Sequence, residues 1–143
     1  VSSGGGCQWR ALLHPTPAGP VDHTVTVVAR SRATAESRRQ LDHVVFGDVW
    51  LCSGQSNMWL PLDFTFGRRQ AVAAARQGVY DNIRVMCGDS GFSQVQAALP
   101  WLTASQCATH NSSERHNGNG SALASFCGTC WYFAQEITDA FRR

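Results

Sequence analysis

The run Val49-Trp50-Leu51-Cys52 constrains this chain more than any other feature. It is apolar at every position and stops abruptly at Ser53-Gly54-Gln55-Ser56-Asn57. A strand with one wet face alternates apolar and polar residues, whereas a strand apolar throughout is covered on both faces, as in a parallel sheet. Open α/β sheets place their sites where such a strand ends, so the small polar residues at 53–57 mark a candidate site. Upstream, the β-branched stretch 24–29 reads as a strand, the Arg-rich stretch 30–40 as a turn and 41–46 as a second strand. Downstream come an Ala-rich helix over 68–78 with Gly78 as its C-cap, a strand at 83–86 and a long loop over 88–121 around Trp101. In the last helix Leu123, Phe126, Cys127, Cys130, Trp131, Ala134, Ile137 and Phe141 recur at three and four residues, behind Ser121 as N-cap. The order strand, helix, strand, helix after residue 47 predicts an α/β fold with a parallel sheet, preceded by a β-rich stretch without helices.

Ser56 is the candidate nucleophile. A serine hydroxyl is weak until a base takes its proton, and it must be exposed, held rigidly and set beside donors for an oxyanion. A position just beyond a buried strand meets the first two needs. Gly54 lets the backbone turn tightly, and a helical turn opening at Asn57 would aim free N–H groups at negative charge near Ser56. The pattern is Gly-Gln-Ser-Asn-Met, with Met58 where the common nucleophile elbow Gly-x-Ser-x-Gly has its second glycine, which argues against the usual α/β-hydrolase layout. The plainer alternative is a polar turn whose Ser and Asn only satisfy the backbone.

The wider segment from Val45 to Met58, Val-Phe-Gly-Asp-Val-Trp-Leu-Cys-Ser-Gly-Gln-Ser-Asn-Met, resembles the nucleophile block of the sialate O-acetylesterase family, a branch of the SGNH-type serine hydrolases. Trp9 with Pro15, Pro17 and Gly19 is similar to the end of that family's preceding β domain. Tyr80-Asp81-Asn82-Ile83-Arg84-Val85 resembles its second core strand, Trp101 a Trp that follows a variable loop, and 126–138 with Cys130-Trp131-Tyr132-Phe133 its next helix. The resemblance implies a flavodoxin-like parallel sheet with flanking helices, of which residues 47–143 would be the N-terminal part and residues 1–46 the end of a preceding β-rich domain. It implies that Ser56 is the nucleophile and its own backbone N–H an oxyanion donor, with Gly54, Gln55 and Asn57 shaping the turn. The substrate would be an O-acetyl ester on a sugar, cleaved through an acyl-enzyme without metal or organic cofactor. Trp59 departs from the polar or acidic residue that many relatives carry after the Met, which bears on local pocket contacts and not on the nucleophile.

The base of such enzymes is a late Asp-x-x-His pair, and none of the aspartates here has His three residues on. The histidines are His14, His23, His43, His110 and His116, and the resemblance supports none of them as base. The chain opens on Val-Ser-Ser-Gly-Gly-Gly without Met and stops on Arg142-Arg143 directly after a helical pattern, so a piece of a longer protein is expected, inactive by itself. No apolar run approaches the roughly 20 residues of a membrane span. All 12 basic residues are arginines and none form a block able to track a phosphate backbone, which argues against nucleic acid. Oligomeric state is left open.

Six cysteines allow 15 pairings if all are joined. Together with the acceptor patterns at Asn111 and Asn119 they point to N-glycosylation and a secreted or lysosomal route. Two rival readings use them as ligands or redox groups. Cys107, His110, Cys127 and Cys130 have spacing close to a zinc ribbon, and Cys127-Gly128-Thr129-Cys130 mimics a thiol redox pair, although the helical pattern puts it a turn inside the last helix. A third reading is a non-catalytic carbohydrate-binding fragment that stacks sugars on tryptophans near Trp101, with Trp50 and Trp131 packed in the core.

Overall fold

The computed structural model describes residues 10–30, 36–86, 101–116 and 119–142. The chain divides into two compact units, Val1–Asp48 and Val49–Arg143. Trp9, Cys7 and Cys87 lie outside the described residues.

The first unit is a hairpin. β1 (Gly19–Ala29) runs antiparallel to β2 (Ser37–Phe46), with Val27 opposite Arg39 and Ala29 opposite Ser37. His23, Val25 and Val27 are half-buried while their neighbours are exposed, the period of two that a one-sided strand requires. The register slips twice, between Gly19 and His23 and again where Asp42 and His43 together oppose Thr24. His43 takes up the extra length with φ 57°, and the Asp22 carboxylate holds its Nδ1 at 3.0 Å. The turn expected over 30–40 is shorter, because the strand resumes at Ser37.

Among the described residues the second unit packs four helices with two short strand pairs. α1 (Arg68–Arg76) is rich in strong helix formers. Gly78 ends it at φ 75° as expected, its N–H bonded to Ala75 O and that of Val79 to Ala74 O, so two carbonyls left over by the helix are satisfied. The predicted strand at 83–86 shrinks to β3 (Arg84–Val85), paired antiparallel with β4 (Leu102–Thr103). The second half of the expected loop is structured. Thr103 Oγ1 accepts the Gln106 N–H and Gln106 Oε1 accepts the Thr103 N–H, a capping box that starts α2 (Ala104–Thr109). β5 (Asn111–His116) then pairs antiparallel with β6 (Asn119–Ser121).

Ser121 does act as an N-cap, accepting the Ala124 N–H, but of a single turn, α3 (Ala122–Ser125). The helix expected to continue breaks at Phe126, which is extended, and restarts as α4 (Gly128–Phe141). Leu62, Val72, Ala75, Ala104, Cys107, Leu123 and Trp131 form the core between these helices. Most are small, which lets α1, α2 and α3 approach closely. Trp131 is fully buried as expected, whereas Phe141, expected on the same face, is 87% exposed.

Among the described residues all three sheets are two-stranded and antiparallel, so the general mixed α and β content is present and the parallel sheet is not formed. Val49, Trp50 and Leu51 lie outside any strand and are 78%, 61% and 92% exposed, against the expectation of a covered strand and a core Trp50. An all-apolar strand needs hydrogen-bonding neighbours along both edges and cover on both faces. The described residues supply neither, and the run is held only on the side of α4. No helix among the described residues is long and apolar enough to cross a membrane.

The turn 79–82 ties the two ends of this unit together. Asp81 accepts the Ser105 N–H and the Ser105 hydroxyl, both at 2.8 Å, and so supports the start of α2. Tyr80 donates to Asp139 of α4 at 3.1 Å, and the Arg142 guanidinium lies 5.3 Å from the Tyr80 ring centre. Replacing Asp81 by Ala is expected to lower unfolding free energy by about 1–3 kcal/mol, measured by urea denaturation. Burial first, then the hydrogen bond to and repulsion from Asp139, raise the Tyr80 phenol above its ordinary 10.0. The folded state therefore favours the neutral phenol, so this contribution is complete below about pH 10 and lost as pH climbs through the raised value. Denaturation midpoints above pH 10 should fall less steeply with pH in Tyr80→Phe than in the parent chain.

Candidate functional site

Ser56 opens a 3-10 turn, Ser56–Met58, in which Met58 N–H bonds Gln55 O at 3.2 Å and Trp59 N–H bonds Ser56 O at 2.9 Å. Two residues bend the chain sharply into it. Gly54 has φ 147°, a value that disfavours side chains, and a Cβ there would stand 3.1 Å from Met58 Cβ. Ser56 itself has φ 56°, the left-handed region, at a cost of roughly 1 kcal/mol for a residue that bears a side chain. The side chain is exposed. Among the described residues the N–H groups of Ser56 and Asn57 donate to no acceptor, as expected for the first residues of a helical turn.

The turn is held against α4 in an antiparallel clasp. Trp50 meets Phe133 edge to face at 5.1 Å, and Cys52 is disulfide-bonded to Cys130 with Cα atoms 6.2 Å apart. Thr129 Oγ1 donates to Asn57 O at 3.0 Å, and Gly128 N–H to Leu60 O at 2.9 Å. Pro61 bridges Cys127, and Leu62 N–H reaches Phe126 O at 2.7 Å. Residues 50 to 62 thus descend as 133 to 126 ascend. These bonds explain the break in the last helix: Phe126 O and Gly128 N–H are used sideways by the segment around Ser56, so 126–127 stay extended. Cys127 is the N-cap of α4, which corrects the expectation that it lies a turn inside a helix.

The far side of the clasp is locked as well. Thr65 Oγ1 donates to Leu62 O and accepts from Tyr132 OH, each at 2.7 Å. Arg68 at the head of α1 donates to Thr65 O at 3.1 Å and lies 3.6 Å from the buried carboxylate of Asp63. Closing the 78-residue loop between Cys52 and Cys130 adds about 4 kcal/mol by restricting the unfolded chain.

Gln55 and Asn57 hydrogen-bond in the turn through their backbone carbonyls, and their side chains form no hydrogen bond among the described residues. No side chain among the described residues hydrogen-bonds Ser56 Oγ. His110 follows α2 and is exposed, and it donates and accepts through its backbone, to Gln106 O and from Ala122 N–H. His14, His23 and His43 belong to the first unit, where His23 stacks edge to face on Phe46 at 5.1 Å. The side chains of His116 and Asn119 lie outside the described residues, and Asn111 is exposed at the start of β5.

The zinc alternative fails on the disulfides. Cys130 is joined to Cys52, and Cys107 is also disulfide-bonded, so neither can be a zinc thiolate beside His110 and Cys127. Among the described residues no three His, Cys, Asp or Glu gather as a metal site. Cys127 is free and half-buried, so Cys127 and Cys130 are not a closed redox pair. Sequence reasoning missed Thr129, Gly128 and the Cys52–Cys130 pairing. Only the last left a signal, as one of many equivalent pairings.

With this geometry in place, similarity to known proteins is informative. The chain is 25% identical over 135 residues to the sialate O-acetylesterase of Mus musculus, covering 94% of this chain and 24% of the mouse protein. It is a distant relative of the sialate O-acetylesterases. Against that of Homo sapiens it is 26% identical over 137 residues, 94% of this chain and 24% of the human protein. The rat protein gives 24% identity over 135 residues. The chain therefore spans 24% or less of the length of these relatives. No protein-family model and no solved structure matches it.

The tightest contact in the clasp is at Gly128, where a Cβ would lie 2.8 Å from Thr65 Cγ2 and 3.4 Å from Leu62 Cα. Gly128→Ala should push the Ser56 segment off α4 and lower stability by about 1–3 kcal/mol despite the better helix propensity of Ala. Thermal melts of the variant and the parent check this.

Proposed function

We propose that this chain carries the nucleophile segment of a carbohydrate O-acetylesterase, with Ser56 as the attacking residue. The observation that carries the proposal is the left-handed backbone of Ser56 at the exposed head of a 3-10 turn. A residue with a side chain persists there only where its surroundings enforce it, and such strain gathers at functional sites. Distant similarity to sialate O-acetylesterases along 94% of the chain supports the same reading.

In this reading Ser56 Oγ adds to the acetyl carbonyl of a sugar ester. The unbonded N–H groups of Ser56 and Asn57 accept the negative charge that develops on the carbonyl oxygen. Collapse expels the sugar hydroxyl and leaves acetate on Ser56, which water removes. Both steps move a proton at Oγ, and this needs a base that no described residue supplies at hydrogen-bond distance. Residues 47–143 are then the first part of a hydrolase domain, and 1–46 the end of a β-rich one. The disulfides at Cys52–Cys130 and Cys107, with the exposed Asn111 acceptor, favour a secretory route.

A second reading, a sugar-binding fragment without catalysis, is favoured by the exposed Trp59 beside the turn and by Trp101, which are 49% and 53% exposed. An acetyl-ester assay separates the two. A polypeptide joining this segment to a histidine base should turn over acetylated sugar, and Ser56→Ala should cut that rate by roughly a million-fold. Equal turnover in the two proteins, or sugar binding unchanged by Ser56→Ala with no turnover in either, would remove Ser56 as nucleophile.

A further inference from the structure

Three cysteines, two of them joined, lie on the segments that hold the Ser56 turn, and the function proposed above uses none of them. Cys52 lies four residues before Ser56 and is bonded to Cys130 in the first turn of α4. Cys127, three residues before Cys130, is the N-cap of the same helix and carries a free thiol. Positions three apart at a helix start share a face. A Cys-x-x-Cys pair with its first member at a helix N-terminus is also the arrangement in which thiol redox motifs open and close. Cys130 is thus placed to bond either of two partners, one on its own helix and one on the nucleophile segment.

We propose that Cys127 is the attacking thiol of an internal disulfide exchange that releases the Ser56 turn from α4. The Cys127 thiolate attacks Cys130 Sγ, the Cys127–Cys130 bond forms, and the Cys52–Cys130 bond breaks. Cys52 leaves as a thiolate and takes up the proton that Cys127 gave. One disulfide and one thiol are present before and after, so no oxidant or reductant is consumed. Access favours the internal route. Cys130 is only 5% exposed, which shields it from thiols in solution, whereas Cys127 is half-buried in the same turn.

The exchange removes the one covalent strut of the clasp. What then holds the Ser56 turn is the Thr129 hydroxyl on Asn57 O, the backbone bonds to Gly128 and Phe126, and the Trp50–Phe133 contact. Each such hydrogen bond is worth on the order of 1 kcal/mol. The left-handed backbone of Ser56, enforced by its surroundings, is the feature most exposed to their loosening. The exchange rests on the cysteine arrangement alone, and only its effect on hydrolysis rests on reading Ser56 as a nucleophile.

The test is peptide mapping of the whole chain after acid quench and alkylation of free thiols. In the resting chain Cys127 is alkylated, and Cys52 and Cys130 are not. After incubation at mildly alkaline pH, where cysteine thiols ionise substantially, Cys52 should become alkylated in step with loss of label at Cys127. The peptide holding both Cys127 and Cys130 should then carry an internal disulfide. Amide hydrogen exchange across 53–60 should rise at the same time. In Cys127→Ser, whose serine is a favoured N-cap and keeps α4 intact, exposure of Cys52 at about 0.1 mM external thiol should slow by roughly tenfold, because an internal thiol acts at millimolar effective concentration or above. In Cys52→Ser, Cys127 and Cys130 should join when glutathione disulfide is supplied. The proposal is overturned if Cys52 is exposed equally fast with and without Cys127, or if it stays bonded under the alkaline incubation. It is equally overturned if Cys127 and Cys130 remain two thiols in oxidised Cys52→Ser. None of these readouts depends on esterase activity.

Discussion

The clasp between residues 50–62 and the beginning of α4 is the interaction on which the second unit depends. It combines a ring contact, a disulfide, a side-chain hydrogen bond and strand-like backbone bonds within eight residues of α4 and its lead-in. No one of the non-covalent contacts is strong in water. Together they fix the direction of a segment that has no regular secondary structure beyond two 3-10 turns. They also draw Leu62 into the core, where it is fully buried against the helices. Packing of the core and placement of Ser56 are therefore parts of one arrangement.

The strain at Ser56 follows from that arrangement. Gly54 turns the chain, the 3-10 turn redirects it, and Thr129 holds the Asn57 carbonyl from the other side. A left-handed residue with a side chain would relax if either flank were free. The same geometry leaves the first N–H groups of the turn without acceptors, which is what an oxyanion site requires. In the proposed reaction, proton transfer is the part that no described residue at Ser56 supplies. The hydrogen bond between His43 Nδ1 and the Asp22 carboxylate has the form of an oriented imidazole but belongs to the hairpin of the first unit.

Several elements were legible in the sequence for identifiable reasons. α1 follows from alanine content and Gly78, and both depend only on neighbours along the chain. The Thr103-x-x-Gln106 capping box was equally local and was overlooked because the surrounding stretch was read as a loop. The break at Phe126 was not legible: the spacing of apolar residues from Leu123 to Phe141 is helical throughout, and the competing hydrogen bonds come from residues more than 60 positions earlier.

By itself the sequence singled out the segment on which the proposed chemistry rests, because the apolar run ending in Gly-Gln-Ser-Asn-Met is contiguous and its resemblance lies in residue identity. It also determined the local starts and stops of helices, which need only nearby caps. The tertiary structure decided the rest: which cysteines pair, where the last helix breaks, that Val49 to Leu51 stays out of any sheet, and that Ser56 is left-handed. Each of these is set by groups distant in the chain that compete for the same backbone donors, acceptors and sulfur atoms, and such competition has no signature in local residue order.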